Sequence, residues 1–265
     1  MTTIYLDIET ERAADVPPEE LAELEAAHPR PEPPPADPFH VTGWPSGWRD
    51  PEKIAAWQAE RHARLVAEYE AWSLEPHVEA WRESTSLEPL YGRILCVGAA
   101  VDDRPAVCVW EADEAATLTR LSAALARYND AQFVAYNGDG FDFRYLWARA
   151  LHHHARGAVG MAALARRMFK PKPWSETHVD PKVQWQRGEY RAKGTLAQVA
   201  RHLGIDVPHD PLTGGEVPRL WDTVRDLEPD APERVAAQAA IRHHCVTDVE
   251  VLRRVWEIMR EGVIL

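Results

Sequence analysis

The segment Ile4-Tyr5-Leu6-Asp7-Ile8-Glu9-Thr10 carries two carboxylates, one residue apart, at the end of an apolar run. Residues 2–8 read as a buried strand. Side chains alternate along a strand, so Asp7 and Glu9 point to the same face. Two neighbouring carboxylates on an apolar strand repel each other unless a cation lies between them. The competing reading ends the strand at Leu6 and leaves both acids solvated in a turn.

Outward from this segment, two more acids stand in informative contexts. Phe133-Val134-Ala135-Tyr136 reads as part of a short buried strand over 131–136, and Asn137-Gly138-Asp139-Gly140-Phe141-Asp142 follows it. Asn137 and Gly138 suit a tight turn. Asp142 then begins a helix, where the helix dipole alone would also favour an acid. Near the C-terminus comes His243-His244-Cys245-Val246-Thr247-Asp248, inside a long helical pattern. Helical spacing puts Cys245, Asp248, Val249 and Leu252 on one face, and a carboxylate on an apolar face needs a partner. His244 lies one turn before Asp248 and His243 five residues before it. Hard divalent cations take oxygen ligands, and Mg²⁺ is commonly held by a few carboxylates, waters and substrate phosphates. Asp7, Glu9, Asp142 and Asp248 are therefore candidate metal ligands.

The rest of the pattern indicates a mixed α/β sheet with helices packed on it. Residues 93–101 and 105–110 read as two strands joined by a turn at Asp102-Asp103. Residues 115–128 form an amphipathic helix, with Leu118, Leu121, Leu125 and Tyr128 on one face. Helices follow over 141–154, to about 169, over 195–204 and, as one or two helices, over 232–261. Residues 11–88 read as an insertion after the first strand, within a single domain spanning 1–265. It begins with an acidic helical stretch from Glu19 to Ala27. A loop follows that contains Pro31, Pro33, Pro34, Pro35 and Pro38, where neither helix nor central strand can form. Residues 51–83 are helical, with Asp50-Pro51 as a start signal. Five tryptophans (44, 48, 57, 72 and 81) mean that the insertion packs against something, or offers a partner or stacking surface.

The net charge of −12 argues against coating long nucleic acid by charge alone. Residues 156–201 nevertheless hold ten Lys or Arg against three acids. That stretch reads either as a solvated basic face or as a groove for a phosphodiester backbone, which Lys170-Pro171-Lys172-Pro173-Trp174 would border. No apolar run is long enough to span a membrane, and no basic-then-apolar leader pattern opens the sequence. Cys96, Cys108 and Cys245 are odd in number and have no paired spacing. They read as buried free thiols of a reducing cytoplasm. His152-His153-His154 lies on a helix, where consecutive residues point in different directions, and receives no function.

Asp7-x-Glu9, Asn137-x₃-Phe141-Asp142 and the histidine-rich segment ending at Asp248 together resemble the three motifs of the DEDD superfamily of 3′–5′ exonucleases. In Asp50-Pro51-Glu52-Lys53-Ile54, Leu90-Tyr91-Gly92-Arg93-Ile94, and Gly194-Thr195-Leu196 through Leu203-Gly204-Ile205 the chain looks most similar to the stand-alone exonucleases that resemble the proofreading domain of family-B DNA polymerases. The resemblance covers 1–10 and about 87–262. It implies a ribonuclease H-like fold and hydrolysis of single-stranded nucleic acid from the 3′ end to nucleoside 5′-monophosphates, with DNA favoured over RNA. It implies two Mg²⁺ or Mn²⁺ ions. Asp7 would bridge them, Glu9 and Asp248 would complete the site of one, and Asp142 would hold the other. Thr10, Asn137 and Phe141 are the implied substrate contacts. The final motif departs from the tyrosine expected in the subgroup: histidine fills both registers, so either His244 or His243 is the expected base. An RNA exonuclease, a ribonuclease H-like endonuclease and a non-catalytic module using the tryptophan-rich insertion as its partner surface are the competing readings.

Overall fold

A computed structural model describes residues 2–170, 172, 175–189 and 194–263, apart from the side chain of Val263. The chain divides into two compact units: Met1–Ala13 with Glu83–Leu265, and Ala14–Arg82. The larger unit is built on a five-stranded mixed sheet of order β3-β2-β1-β4-β5. Its strands are β1 (Thr3–Glu11), β2 (Arg93–Val101), β3 (Val107–Val109), β4 (Gln132–Val134) and β5 (His178–Val179). The first three pair antiparallel, whereas β4 and β5 add in parallel beyond β1. This is the expected α/β sheet flanked by helices.

Alternation along β1 sorts its side chains between two cores. Ile4, Leu6 and Ile8 join one apolar cluster with Leu118, Leu121, Phe143, Leu146, Met161 and Leu164. These come from α4 (Glu114–Leu125), α5 (Asp142–His154) and α6 (Met161–Met168). Tyr5 faces the other way and packs with Val249, Leu252 and Trp256 of α10 (Pro232–Val263). The period-2 rule therefore sends Asp7 and Glu9 towards α10 as well. Gly98 of β2, the register partner of Asp7, is what lets that helix come close. A Cβ there would stand 2.8–2.9 Å from Val249 Cγ2 and from Cys245 O and Sγ.

Several elements differ from the sequence expectation. β1 runs to Glu11 rather than stopping at residue 8, because Asp7 and Glu9 stay in register with Gly98 and Cys96 of β2. The acids thus lie inside a strand, beside an irregularity between Glu9 and Thr10. β4 is shorter than 131–136. The C-terminal helical pattern is a single helix. The helix expected over 195–204 is α8 (Leu196–His202), whereas the short elements β5, α7 (Pro181–Gln186) and α9 (Val217–Val224) have too few residues to show a period and carry no sequence signal.

The smaller unit contains α1 (Pro18–Ala27) and α2 (Pro51–Ala71), and α3 (Glu75–Thr85) begins in it. Its proline-rich loop is tied down. Gln58 Nε2 donates to the Phe39 and Val41 carbonyls, both at 2.9 Å, and His62 lies 2.7 Å from Pro35 O. Arg30 stacks over Tyr69 at 4.1 Å and lies 5.8 Å from the Trp72 ring. Lys53 covers Trp48, and Trp81 Nε1 donates to Glu20. Three of the five tryptophans are thus engaged inside the unit, while Trp44 is exposed. Among the described residues, no helix is long and apolar enough to cross a membrane.

Candidate metal and nucleic-acid site

The face that β1 turns towards α10 ends in acids. Asp7 is partly covered, and its Oδ2 is buried with no hydrogen-bond partner. Glu9 is buried at 5% exposure. Asp248 approaches from α10, with its side chain still 37% exposed. Asp142 comes from the opposite direction. The β4–α5 turn uses Asn137 at φ 64° and Gly138, whose position has no room for a Cβ because Ala135 Cβ and Phe143 Cε2 would both lie 2.7 Å away. Asp142 then opens α5, buried at 3% exposure, and accepts from the Ile8 backbone N–H at 3.1 Å.

These carboxylates lie close enough to oppose one another's ionisation. Burial raises Asp7 well above the carboxylate range, and the charges of Glu9, Asp142 and Asp248 add to it. Burial raises Glu9 in the same way, followed by the charges of Asp248 and Asp142. Asp142 is pushed up to about 7, mainly by burial, against the backbone N–H groups that favour its ionised form. Asp248 is raised by burial, with His244 working the other way. Carboxylates gathered in this way become favourable when a cation replaces the missing protons. The buried Asp7 oxygen without a hydrogen-bond partner and the four carboxylates fit a hard divalent ion, with the Cys245 sulfur beside Asp7 and Glu9. Asp7, Glu9, Asp142 and Asp248 are the residues able to hold it.

His244 adds a group of different chemistry. It is buried at 6% exposure, one helical turn before Asp248. Its Nε2 stands 3.6 Å from Glu9 Oε1 and 4.0 Å from Asp248 Oδ2. Its Nδ1 is 2.8 Å from Asp210 Oδ2. Burial works upward on Asp210, but the Leu212 N–H and His244 hold its carboxyl below the usual range. An ionised carboxylate only accepts, so Nδ1 carries the proton of that bond. His243 is exposed on another side of the same helix. The uninterrupted helix therefore brings His244, and not His243, to the acids.

A cleft of about 350 Å³ opens over this group, lined by Asp7, Glu9, His244 and Asp248 together with Thr10 and Phe141. Thr10 Oγ1 is committed to Ser86 O at 2.8 Å. The Phe141 ring meets Tyr145 edge-on, with centroids 5.4 Å apart. Asn137 does not line the cleft. Its backbone N–H donates to Asp180, and its side chain accepts from Lys182. The arginines lining the cleft are Arg12 and Arg219. The basic stretch 156–201 is spread elsewhere: Arg156 binds His152 O, Arg167 binds Tyr128 O and Asn129, and Lys170 pairs with Asp139. Of the residues 170–174, 171, 173 and 174 lie outside the described residues, as do Arg191 and Lys193.

Two working residues had no distinctive signal in the sequence. Asp210 sits in a proline- and glycine-containing loop and became visible only through His244. Asp180, 4% exposed, accepts from the backbone N–H groups of Asn137, Asp139, Lys182 and Val183 and so fixes the turn leading to Asp142.

Comparison with known proteins places this architecture. The profile of the RNase H superfamily matches residues 82–260. The chain belongs to the RNase H superfamily. That membership supports nuclease chemistry on nucleic acid, and the acids of β1 lie outside the matched span. An uncharacterized protein of Methanocaldococcus jannaschii is 28% identical over 178 residues, which cover 67% of this chain and 90% of that protein. The family B DNA polymerase of the archaeon Pyrobaculum calidifontis superposes with a TM-score of 0.47 at 20% identity, over 65% of this chain. The match spans only 22% of that polymerase.

Proposed function

We propose that this RNase H superfamily member is a metal-dependent 3′–5′ exonuclease. Its substrate is single-stranded nucleic acid, DNA in preference to RNA, and its products are nucleoside 5′-monophosphates. One observation carries the reading: carboxylates from three separate elements are gathered beside a cleft with a histidine, and the buried Asp7 oxygen among them has no partner. Motif order supports the 3′–5′ direction, and the motif resemblance to proofreading domains is what favours DNA over RNA. Residues 1–265 act as one exonuclease domain, with 11–88 as its insertion. The free thiols of Cys96, Cys108 and Cys245 support a reducing compartment, the cytoplasm.

Asp7, Glu9, Asp142 and Asp248 would hold two Mg²⁺ or Mn²⁺ ions. Such a pair would supply polarisation of the attacking water and stabilisation of the leaving oxygen. His244 Nε2 takes the proton from the water that attacks the terminal phosphodiester. Asp210 fixes the ring so that Nε2 faces the carboxylates. Phe141, at the cleft wall, offers an aromatic ring on which the terminal base stacks, a contact that tolerates any base. Thr10 contributes its position at the cleft wall, with its hydroxyl already bound to Ser86. The insertion carries fourteen Asp or Glu against six Lys or Arg over residues 14–82, so it suits a protein partner better than a phosphodiester.

A time course on 5′-labelled single-stranded DNA and RNA, with Mg²⁺, Mn²⁺ or chelator, tests the reading. The expected result is a ladder shortening from the 3′ end, faster on DNA, blocked by chelator and by a 3′ blocking group. Internal cuts in the blocked strand would identify an endonuclease. A chain inert with every metal and substrate would contradict the proposal.

A further inference from the structure

Behind the acidic cleft, three elements bring their cysteines together. Cys96 on β2, Cys108 on β3 and Cys245 on α10 hold their sulfur atoms within 4.8 Å of one another, and all three are free thiols. Cys96 and Cys245 are buried in an apolar cluster with Val217, Trp221 and Ile241. Cys108 is half-buried on the edge strand of the sheet, which gives an ion a way in.

We propose that Cys96, Cys108 and Cys245 form a tri-thiolate site for a thiophilic divalent cation, Zn²⁺ or Cd²⁺. Thiolate sulfurs sharing one zinc ion at about 2.3 Å stand roughly 3.8 Å apart in tetrahedral geometry. Sulfurs within 4.8 Å of one another are already close to that spacing. Soft sulfur ligands select such ions over Mg²⁺ or Mn²⁺, which prefer the oxygens next door. On binding, three S–H bonds lose their protons to solvent and three metal–sulfur bonds form, with no change of oxidation state. The three thiolates exceed the charge of the ion by one, and Arg242 lies beside Cys108 to balance it. Arg242 is itself held by Trp110, donating to its carbonyl at 3.2 Å and lying 5.1 Å from its ring centroid.

The site is not isolated. Cys245 also places its sulfur within 4.8 Å of ligand atoms of Asp7 and Glu9 and contacts the Asp7 carbonyl at 3.7 Å. A thiophilic ion drawing on that sulfur therefore acts on the floor of the acidic cleft. It would slow the Mg²⁺-dependent cleavage, a consequence that rests on the nuclease reading.

Titration of the reduced, chelator-treated protein with Cd²⁺ tests the site by its sulfur-to-metal charge-transfer absorption, independently of cleavage. The expected result is saturation at one ion per chain, with the band lost in Cys108→Ser and kept in Asp7→Asn. Circular dichroism should show Cys108→Ser folded, and its Mg²⁺-dependent activity should match the wild type while resisting Zn²⁺. Absence of the band from the folded wild-type chain, or its persistence unchanged in Cys108→Ser, would overturn the proposal. A cadmium band on a chain that cuts no nucleic acid would support the thiolate site and count against the nuclease reading alone.

Discussion

Acids in two regions of this molecule have opposite fates. Glu114, at the start of α4, accepts from Arg149 Nη2 at 2.6 Å and from the Ile94 N–H at 2.8 Å, and it lies 2.7 Å from His153 Nε2. Burial works against its charge, but Arg149 overrides it and holds the carboxyl below the usual range. In the cluster of Asp7, Glu9, Asp142 and Asp248 burial works the same way, and every member is raised. One acid has its cation built into the chain, and on the proposed reading the others obtain theirs from outside. A buried acid with its own arginine is structure; buried acids that oppose one another's charge are a binding site in waiting.

The comparison breaks most visibly at Asp7. Asp7→Asn should reduce cleavage to the level of the chelated wild type, while circular dichroism shows the fold retained. Substantial metal-dependent activity in that variant would dismiss the cluster as the catalytic centre. His244→Ala should lower kcat by about 10²–10⁴-fold, the usual contribution of a general base. His243→Ala, on the exposed side of the helix, should leave it unchanged. Equal losses in the two variants would deny His244 its special position.

The structural acid predicts the reverse pattern. Arg149→Ala should cost about 3–5 kcal/mol of stability, because Glu114 is left charged and buried. Activity per folded molecule should be preserved, as measured by denaturant melts alongside cleavage assays. A smaller effect is expected at Asp210, whose hold on His244 resembles an outer-sphere carboxylate on a ligating histidine. Asp210→Asn should reduce kcat by roughly 10–100-fold with KM little changed. A change confined to KM would mean that Asp210 acts on substrate instead.

The last difference concerns pH. Asp142 has a folded-state pKa of about 7 against about 4 in an unfolded chain. Between those values the folded state binds more protons, so its stability falls as pH rises. In chelator, thermal midpoints should therefore decline across that window, and added Mn²⁺ should restore them at the upper end. Asp142→Asn should raise the metal-free midpoint at neutral pH by about 2–4 °C, equivalent to ~1 kcal/mol at this chain length. A midpoint that rises with pH through this range would reverse the argument.

The sequence carried much of this because the acids lie on regular elements. Alternation placed Asp7 with Glu9, and helical spacing placed Asp248 with Cys245. What it could not carry were meetings between distant segments. Asp210 reaches His244 across 34 residues, and Asp180 holds a turn 43 residues away from it in sequence. The cysteines looked unrelated at 96, 108 and 245, and only the packing of α10 on Gly98 brings them together. The choice between His243 and His244 needed the helix phase against β1, which the sequence alone left open. The basic stretch left two readings open, and among its described residues Arg156, Arg167 and Lys170 are paired with groups of separate elements.

The central claim is that these four acids are completed by a hard divalent cation. Calorimetric titration of Mn²⁺ into the metal-free protein at neutral pH measures this directly, with Asp7→Asn/Asp248→Asn alongside. Saturable binding to the wild type, with the heat lost in the double variant, is the predicted result. Equal affinity and stoichiometry in both proteins, or no binding by the folded wild type, would contradict it.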